Sequence, residues 1–283
     1  MSGTKERNRQ GKSNRFLTIV LVVLMVIGVG FMAYPTISDA LHSLQTDEAI
    51  SDYQNAVDQL DETERQALLD QAHAYNQSLV HDPYRFNMDE AKLAEYESMM
   101  KVGDVAPIAT VSVPSQKIYL PIYHGSSPEA LLSGAGHLEG TSLPVGGPST
   151  HTVISAHTGL PEAELFDNIS NLKTGDQFVI SALGEDHVYI VDRILTVLPE
   201  EMDALAIEEG EELCTLLTCT PYGINTHCLL VIGKKAPERT PVPAPVDTTG
   251  TLQKLIPILL IAAVILICLV SWYLIRKRKK AHN

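Results

Sequence analysis

The sequence predicts a mainly-β domain, a closed barrel or a sandwich, set behind a helical extension and bracketed by a membrane helix at each end. Three observations carry this. Two uncharged apolar runs, 16–34 and 255–275, each have about the 20 residues that cross a hydrocarbon core. Between 105 and 235, short β-branched and aromatic runs alternate with Gly, Pro, Asn and Asp clusters, the pattern of strands and turns. Between 37 and 79, apolar residues recur instead at helical spacing.

The ends come first. The tail 1–15 carries Lys5, Arg7, Arg9, Lys12 and Arg15 against Glu6 alone, and the run 16–34 follows it. The run 255–275 closes on Trp272 and Tyr273, and the tail 276–283 begins Arg276, Lys277, Arg278, Lys279, Lys280. Basic flanks stay cytoplasmic and Trp/Tyr settle at the interface, so both termini are predicted inside and residues 36–253 outside the cell membrane. A cleaved signal peptide is the alternative for 16–34. Its length, and the lack of a small-x-small site around Phe31 to Pro35, favour a retained anchor. Cys268, within the second run, reads as lipid-facing filler.

The outer part holds 10 Lys/Arg against 33 Asp/Glu, a net of −23. That charge excludes nucleic acid as a partner and favours cationic ones. Within the helical extension 35–100, Ile50, Tyr53, Val57 and Leu60 form one stripe, and Leu68, Ala72, Tyr75 and Leu79 another. Asp61-Glu62-Thr63 separates them, with Gln66 placed as in a capping box that starts at Thr63. The segment 81–87 breaks the helix at Asp82-Pro83, because the residue before proline avoids the α region, and a short helix is expected over 88–100. The barrel domain spans 101–236. Strands are expected at 108–113, 117–123, 150–155, 177–181, 187–198, 213–219 and 227–234, with 134–147 as a long Gly-rich loop between strands. The Pro-rich stretch within 237–254 is a stiff spacer to the second anchor.

Four scattered cysteines exclude a disulfide-stapled scaffold. There is no HExxH, CxxC or EF-hand spacing, so no metal or other cofactor is expected, and no GxSxG elbow. Cys214 reads as a small core residue. Cys219 ends a strand before the turn Thr220-Pro221-Tyr222-Gly223, which leaves its thiol at the rim. Position alone leaves catalytic and structural roles open. A thiol nucleophile needs a base or cationic neighbour, and His157, just past the strand end 150–155 and before Gly159, is placed where barrels display such groups. His124, His151 and His227 also lie at strand ends.

These residues carry a resemblance. Leu213-Cys-Thr-Leu-Leu-Thr-Cys219-Thr-Pro-Tyr-Gly-Ile-Asn-Thr-His227 is similar to the TLxTC active-site strand of sortases, in the form found in the class C, pilin-polymerising members. Leu120–Gly125, Gly134–Ser142 and Ser155–Leu160 resemble that family at matching intervals. Asp82-Pro83-Tyr84 resembles its lid, although the tripeptide is equally an ordinary helix-ending turn. The resemblance, over about residues 45–235, implies an eight-stranded β-barrel, Cys219 as nucleophile and His157 as general acid/base. It implies a membrane-held transpeptidase that cleaves an LPxTG-like sorting signal through a thioester and passes it to an amine, a pilin lysine in class C. The implied partners are pilins or surface proteins of a Gram-positive cell envelope.

One departure stands out. Sortases carry an arginine nine residues after the cysteine, and here that place is Cys228. Loss of an oxyanion donor costs about 10²–10³ in rate, and a thiol supplies no cationic fork. Three readings follow: Arg193 or Arg85 substitutes; the domain is a catalytically weak module that binds pilins or sorting signals; or Cys219 and Cys228 join as a disulfide between neighbouring strands. Water in place of the amine would make it a hydrolase.

Overall fold

The computed structural model describes residues 3–161, 163–221, 223–244 and 246, with side chains from residue 23 onward. The run 255–275, the tail 276–283 and the end of the linker 237–254 lie outside the described residues, and Cys268 with them.

Helix α1 is one element, Gly3–Asp58, with Pro35 inside it. Its apolar stretch exposes Leu24, Met25, Phe31 and Met32. Among the described residues this one helix is long and apolar enough to cross a membrane. From residue 42 onward the described residues form one compact body. There α1 turns Ile50, Tyr53 and Val57 inward, as its stripe requires. The Tyr53 hydroxyl donates to the Ile108 carbonyl at 2.7 Å and accepts from the Leu183 amide at 3.0 Å, fastening the helix to the barrel.

Helix α2 is Glu62–Leu79, and its cap lies two residues before Thr63. Asp61 is its N-cap, accepting from the Glu64 amide, while the Glu64 carboxylate accepts from the Asp61 amide, so the capping box uses Glu64 rather than Gln66. Buried Asn76 clamps α2 to the Gly-rich stretch by exchanging hydrogen bonds with the Leu143 backbone at 2.7 and 3.1 Å. Helix α3, Glu90–Ser98, falls within the expected 88–100 and buries Tyr96. The Tyr96 hydroxyl bonds His137 Nδ1 at 2.8 Å and accepts from the Gly125 amide at 3.0 Å.

Eight strands follow: β1 Ala109–Val113, β2 Ile118–His124, β3 Ala135–His137, β4 Thr150–Ser155, β5 Gln177–Ala182, β6 Glu185–Val197, β7 Glu212–Thr220 and β8 His227–Lys235. They close into a barrel in the order β1-β2-β3-β4-β7-β8-β6-β5. Seven match the expected runs to within one or two residues. The correction is β3, inside the stretch expected to be loop, preceded by a short helix α4, Pro128–Ser133. Two pairings are parallel, β2 with β3 and β4 with β7; the others are antiparallel.

The barrel buries two apolar layers. Its interior joins Cys214, Leu216, Ile154, Val231, Phe178 and Tyr189 to the inward faces of α1–α3. A second, smaller cluster lies on the outer face of β4, β7 and β8: Val153, Leu230 and Ile232, capped by Leu205 of the β6–β7 connection. Alternation along the strands decides which layer each side chain joins.

Candidate active site

Strand β7 places the two cysteines of its TLLTC segment differently. Cys214 faces the interior, fully buried, and burial pushes its thiol well above the ordinary range. That agrees with its reading as a core residue. Cys219, an odd number of positions further on, falls on the outer face, half-buried near the end of the strand. Its thiol is free.

The parallel β4–β7 ladder runs up to this end of the strand. Its last pair is Ser155 with Leu217, closed by the Ala156 amide donating to the Leu217 carbonyl at 3.1 Å. His157 lies two residues past Ser155, beyond the end of β4, and Cys219 two residues past Leu217, within β7. The chain here is pinned from several sides. The Thr218 hydroxyl donates to the Ala156 carbonyl at 2.8 Å, and the Phe166 amide donates to the His157 carbonyl at 3.0 Å. The Asp167 carboxylate accepts from the Gly159 and Leu165 amides at 2.9 and 3.2 Å, which folds the segment after His157 back on itself. The sequence reading missed Asp167; its only signal was an Asp eight residues after a Gly.

The antiparallel β7–β8 ladder sets the neighbour of Cys219. Cys219 is directly opposite Cys228, which is opposite Val197 of β6 in turn. Cys219, Cys228 and Val197 thus form one row across three strands. The position of the absent arginine is therefore adjacent to the candidate nucleophile, as the spacing implied. Burial, then the negative charges of Cys219 and Glu200, push the Cys228 thiol up.

Neither candidate substitute is brought to that row. Arg193 is opposite Ile232, four residues back along β6 from Val197, and its guanidinium is paired with Glu208. Arg85 is buried, donating to the Leu205 carbonyl at 2.7 Å and the Gly140 carbonyl at 3.3 Å, with its guanidinium 4.5 Å from the Phe86 ring centre. Both arginines lie near His151, at the opposite end of β4 from His157. His151 itself is structural: its ring nitrogens bond Thr215 Oγ1 at 2.7 Å and the Ala206 carbonyl at 2.8 Å, and burial lowers its pKa to about 4. His227 bonds the neighbouring Thr226 hydroxyl through Nδ1 at 2.9 Å. Burial lowers His124 as well.

The lid segment has the local geometry of a turn. Tyr84 is 67% exposed. Asp82 accepts from the Tyr84 amide at 2.8 Å and faces the Lys92 ammonium at 4.0 Å. An aspartate bonding the amide two residues on is an Asx-turn, so Asp82-Pro83-Tyr84 here adopts the plain helix-ending turn. The aromatic that reaches the outer cluster is Phe86, two residues later. A cavity of about 300 Å³ lies between this segment and Ala206–Ile207, lined also by Leu79, Val80, His81, Asp82, Pro83 and Arg85.

A free, half-buried thiol near the end of a barrel strand suits covalent acyl transfer by cysteine. Comparisons with known proteins agree. The family model described as the sortase domain matches residues 111–236. A crystal structure of sortase C1 from Streptococcus agalactiae is 40% identical, with a TM-score of 0.65 over 68% of this chain and 99% of that one. A sortase C of Streptococcus pneumoniae is 42% identical over 69% of this chain and 100% of its own, with a TM-score of 0.60. Sortase C-1 of Actinomyces oris is 44% identical over 62% and 99%, with a TM-score of 0.57. Sortase A of Bacillus anthracis is 25% identical over 146 residues, 52% of this chain and 67% of that protein. The chain belongs to the sortase family of cysteine transpeptidases, and its structural neighbours include class C sortases.

Proposed function

We propose that Cys219 attacks the Thr–Gly carbonyl of an LPxTG-like sorting signal, and that a pilin lysine amine resolves the resulting thioester into an isopeptide bond. What supports this reading is the free, half-buried thiol of Cys219 near the end of β7, with His157 just past the end of the neighbouring strand β4. In the first half-reaction the thiolate adds to the carbonyl, and the glycine amine departs with a proton from the His157 imidazolium. In the second, the lysine amine attacks the thioester, His157 takes its proton, and the Cys219 thiolate leaves. An imidazolium next to a thiol serves both halves, since it favours the thiolate and supplies the leaving-group proton. The apolar face of α1 supports a membrane anchor with the barrel outside the cell; substrates held in the same bilayer would then meet the enzyme at raised effective concentration.

The test is mass spectrometry of the full chain in detergent after incubation with an LPxTG-type peptide. The expected result is an acyl adduct on Cys219 that disappears when a lysine-bearing acceptor is added. Cys219→Ala removes the adduct, and an undiminished adduct in that variant overturns the assignment.

The engagement of Arg85 and Arg193 elsewhere favours a second reading on rate alone. Acyl transfer then proceeds without a guanidinium beside the oxyanion and is slow, so the domain works largely by binding sorting signals.

A further inference from the structure

The acyl-transfer scheme leaves Cys228 without a task, yet its place is closely defined. The Leu217 carbonyl accepts from the Ala156 amide, so the backbone polar groups of Leu217 face β4. Alternation turns those of Thr218 towards β8 and those of Cys219 back to β4. Cys219 and Cys228, directly opposite in the antiparallel ladder, are therefore a non-hydrogen-bonded pair. In such pairs the Cα atoms approach to about 4.5 Å and the side chains lie closest, within the roughly 4.4–6.8 Å that a disulfide spans. Both thiols are free and half-buried on the same face. Cys214, the third described cysteine, faces the barrel interior and is out of play.

We propose that Cys219 and Cys228 form a reversible disulfide under a peroxide oxidant, which shields the nucleophile from irreversible oxidation and keeps the enzyme silent until a thiol reductant reopens it. The silencing rests on Cys219 being the nucleophile; the pairing does not. In the first step the Cys219 thiolate attacks one oxygen of hydrogen peroxide, the O–O bond breaks, and the departing hydroxide is protonated to water. Cys219 is now a sulfenic acid, its sulfur oxidised by two electrons. The Cys228 thiolate then attacks that sulfur, the S–O bond breaks, and a second water leaves as the S–S bond forms. Two thiols and one peroxide give one disulfide and two waters. A small thiol reverses it by exchange, ending as its own disulfide. Because burial, and then the Glu200 carboxylate, hold Cys228 protonated, ring closure quickens as pH rises above neutrality.

The experiment treats the full chain in detergent with a modest excess of hydrogen peroxide, then digests it without reduction. Chymotryptic cuts after Leu216 and Tyr222 separate Cys214, Cys219 and Cys228 onto different fragments. The expected result is Cys219 and Cys228 fragments joined, parted by dithiothreitol, with alkylation of Cys219 largely restored. Cys228→Ser and Cys228→Ala give no joined fragments; Cys219 proceeds to sulfinic acid, and its recovery after reductant falls about fivefold or more. Absence of joined fragments from the oxidised native chain overturns the proposal, as does equal recovery in native chain and both variants. The fragments report sulfur chemistry without substrate. Joined fragments in a chain that transfers no acyl group would defeat the proposed function alone, whereas acyl transfer without joined fragments would defeat the pairing alone.

Discussion

Cys219 faces a second thiol, Cys228, across the ladder, and among the described residues its row holds no fixed cation. The consequence falls on the transition state. As the carbonyl becomes tetrahedral its oxygen gains charge, and one missing donor costs about 10²–10³ in rate, or roughly 2.7–4 kcal/mol. Arg85 and Arg193, tied to backbone carbonyls and to Glu208, cannot supply that donor without breaking bonds they already hold. Cys228→Arg is therefore expected to raise kcat/KM for an LPxTG-type peptide and an amine by at least tenfold. An unchanged value in a steady-state assay would mean that another donor already acts. Tyr84 gives the opposite kind of expectation. Since it is exposed, Tyr84→Ala should leave the rate of Cys219 alkylation within about twofold of native, measured with a small maleimide. A lid closed over the thiol would instead give a clear acceleration. The spacing of Cys219 to Cys228 was legible along the chain. The aim of Tyr84 was not, because it follows from which amide the Asp82 oxygen selects.

At the scale of elements, the strands that read well are those rich in β-branched and aromatic residues, and β3 is the one that did not. Ala135-Gly136-His137 has neither kind of side chain and only three residues; it is a strand because of what packs around it. β2 and β4 pair with it on either side, and His137 is held by Tyr96 from one direction and the Ser142 carbonyl from another. Gly136 shows how tight the fit is. A Cβ there would collide with the Gly125 carbonyl oxygen and press on Leu131. Gly136→Ala is expected to destabilise the barrel by about 1–3 kcal/mol, seen as a lower midpoint in thermal unfolding. A midpoint equal to native would show that the β2–β3 junction yields. The row that holds Cys219 is likewise a product of elements. Sequence spacing aligned Cys219 with Cys228, whereas the parallel pairing of β4 with β7, sixty-two residues apart, is a property of the closed sheet.

At the scale of the whole molecule, two buried histidines tie stability to acidity. Burial lowers His137 and His151 to about 4, against 6.5 for a free imidazole. Between those values the unfolded chain binds protons that the folded one refuses. Their contribution is complete above about pH 6.5 and is lost as pH falls towards 4, by on the order of 1–2 kcal/mol each at pH 5. The unfolding midpoint should fall between pH 7 and pH 5, and a flat profile would mean that these rings take up protons without opening the fold.

Closure of the sheet has a further consequence for recognition. With each strand hydrogen-bonded to a neighbour on both sides, the barrel has no edge strand along whose whole length an extended peptide could be added. A polypeptide lying on the outer wall of β4, β7 and β8 would be held mainly through its side chains. Binding of that sort discriminates between sequences, where edge addition would tolerate many, and it leaves the barrel with few places at which copies could stack into aggregates.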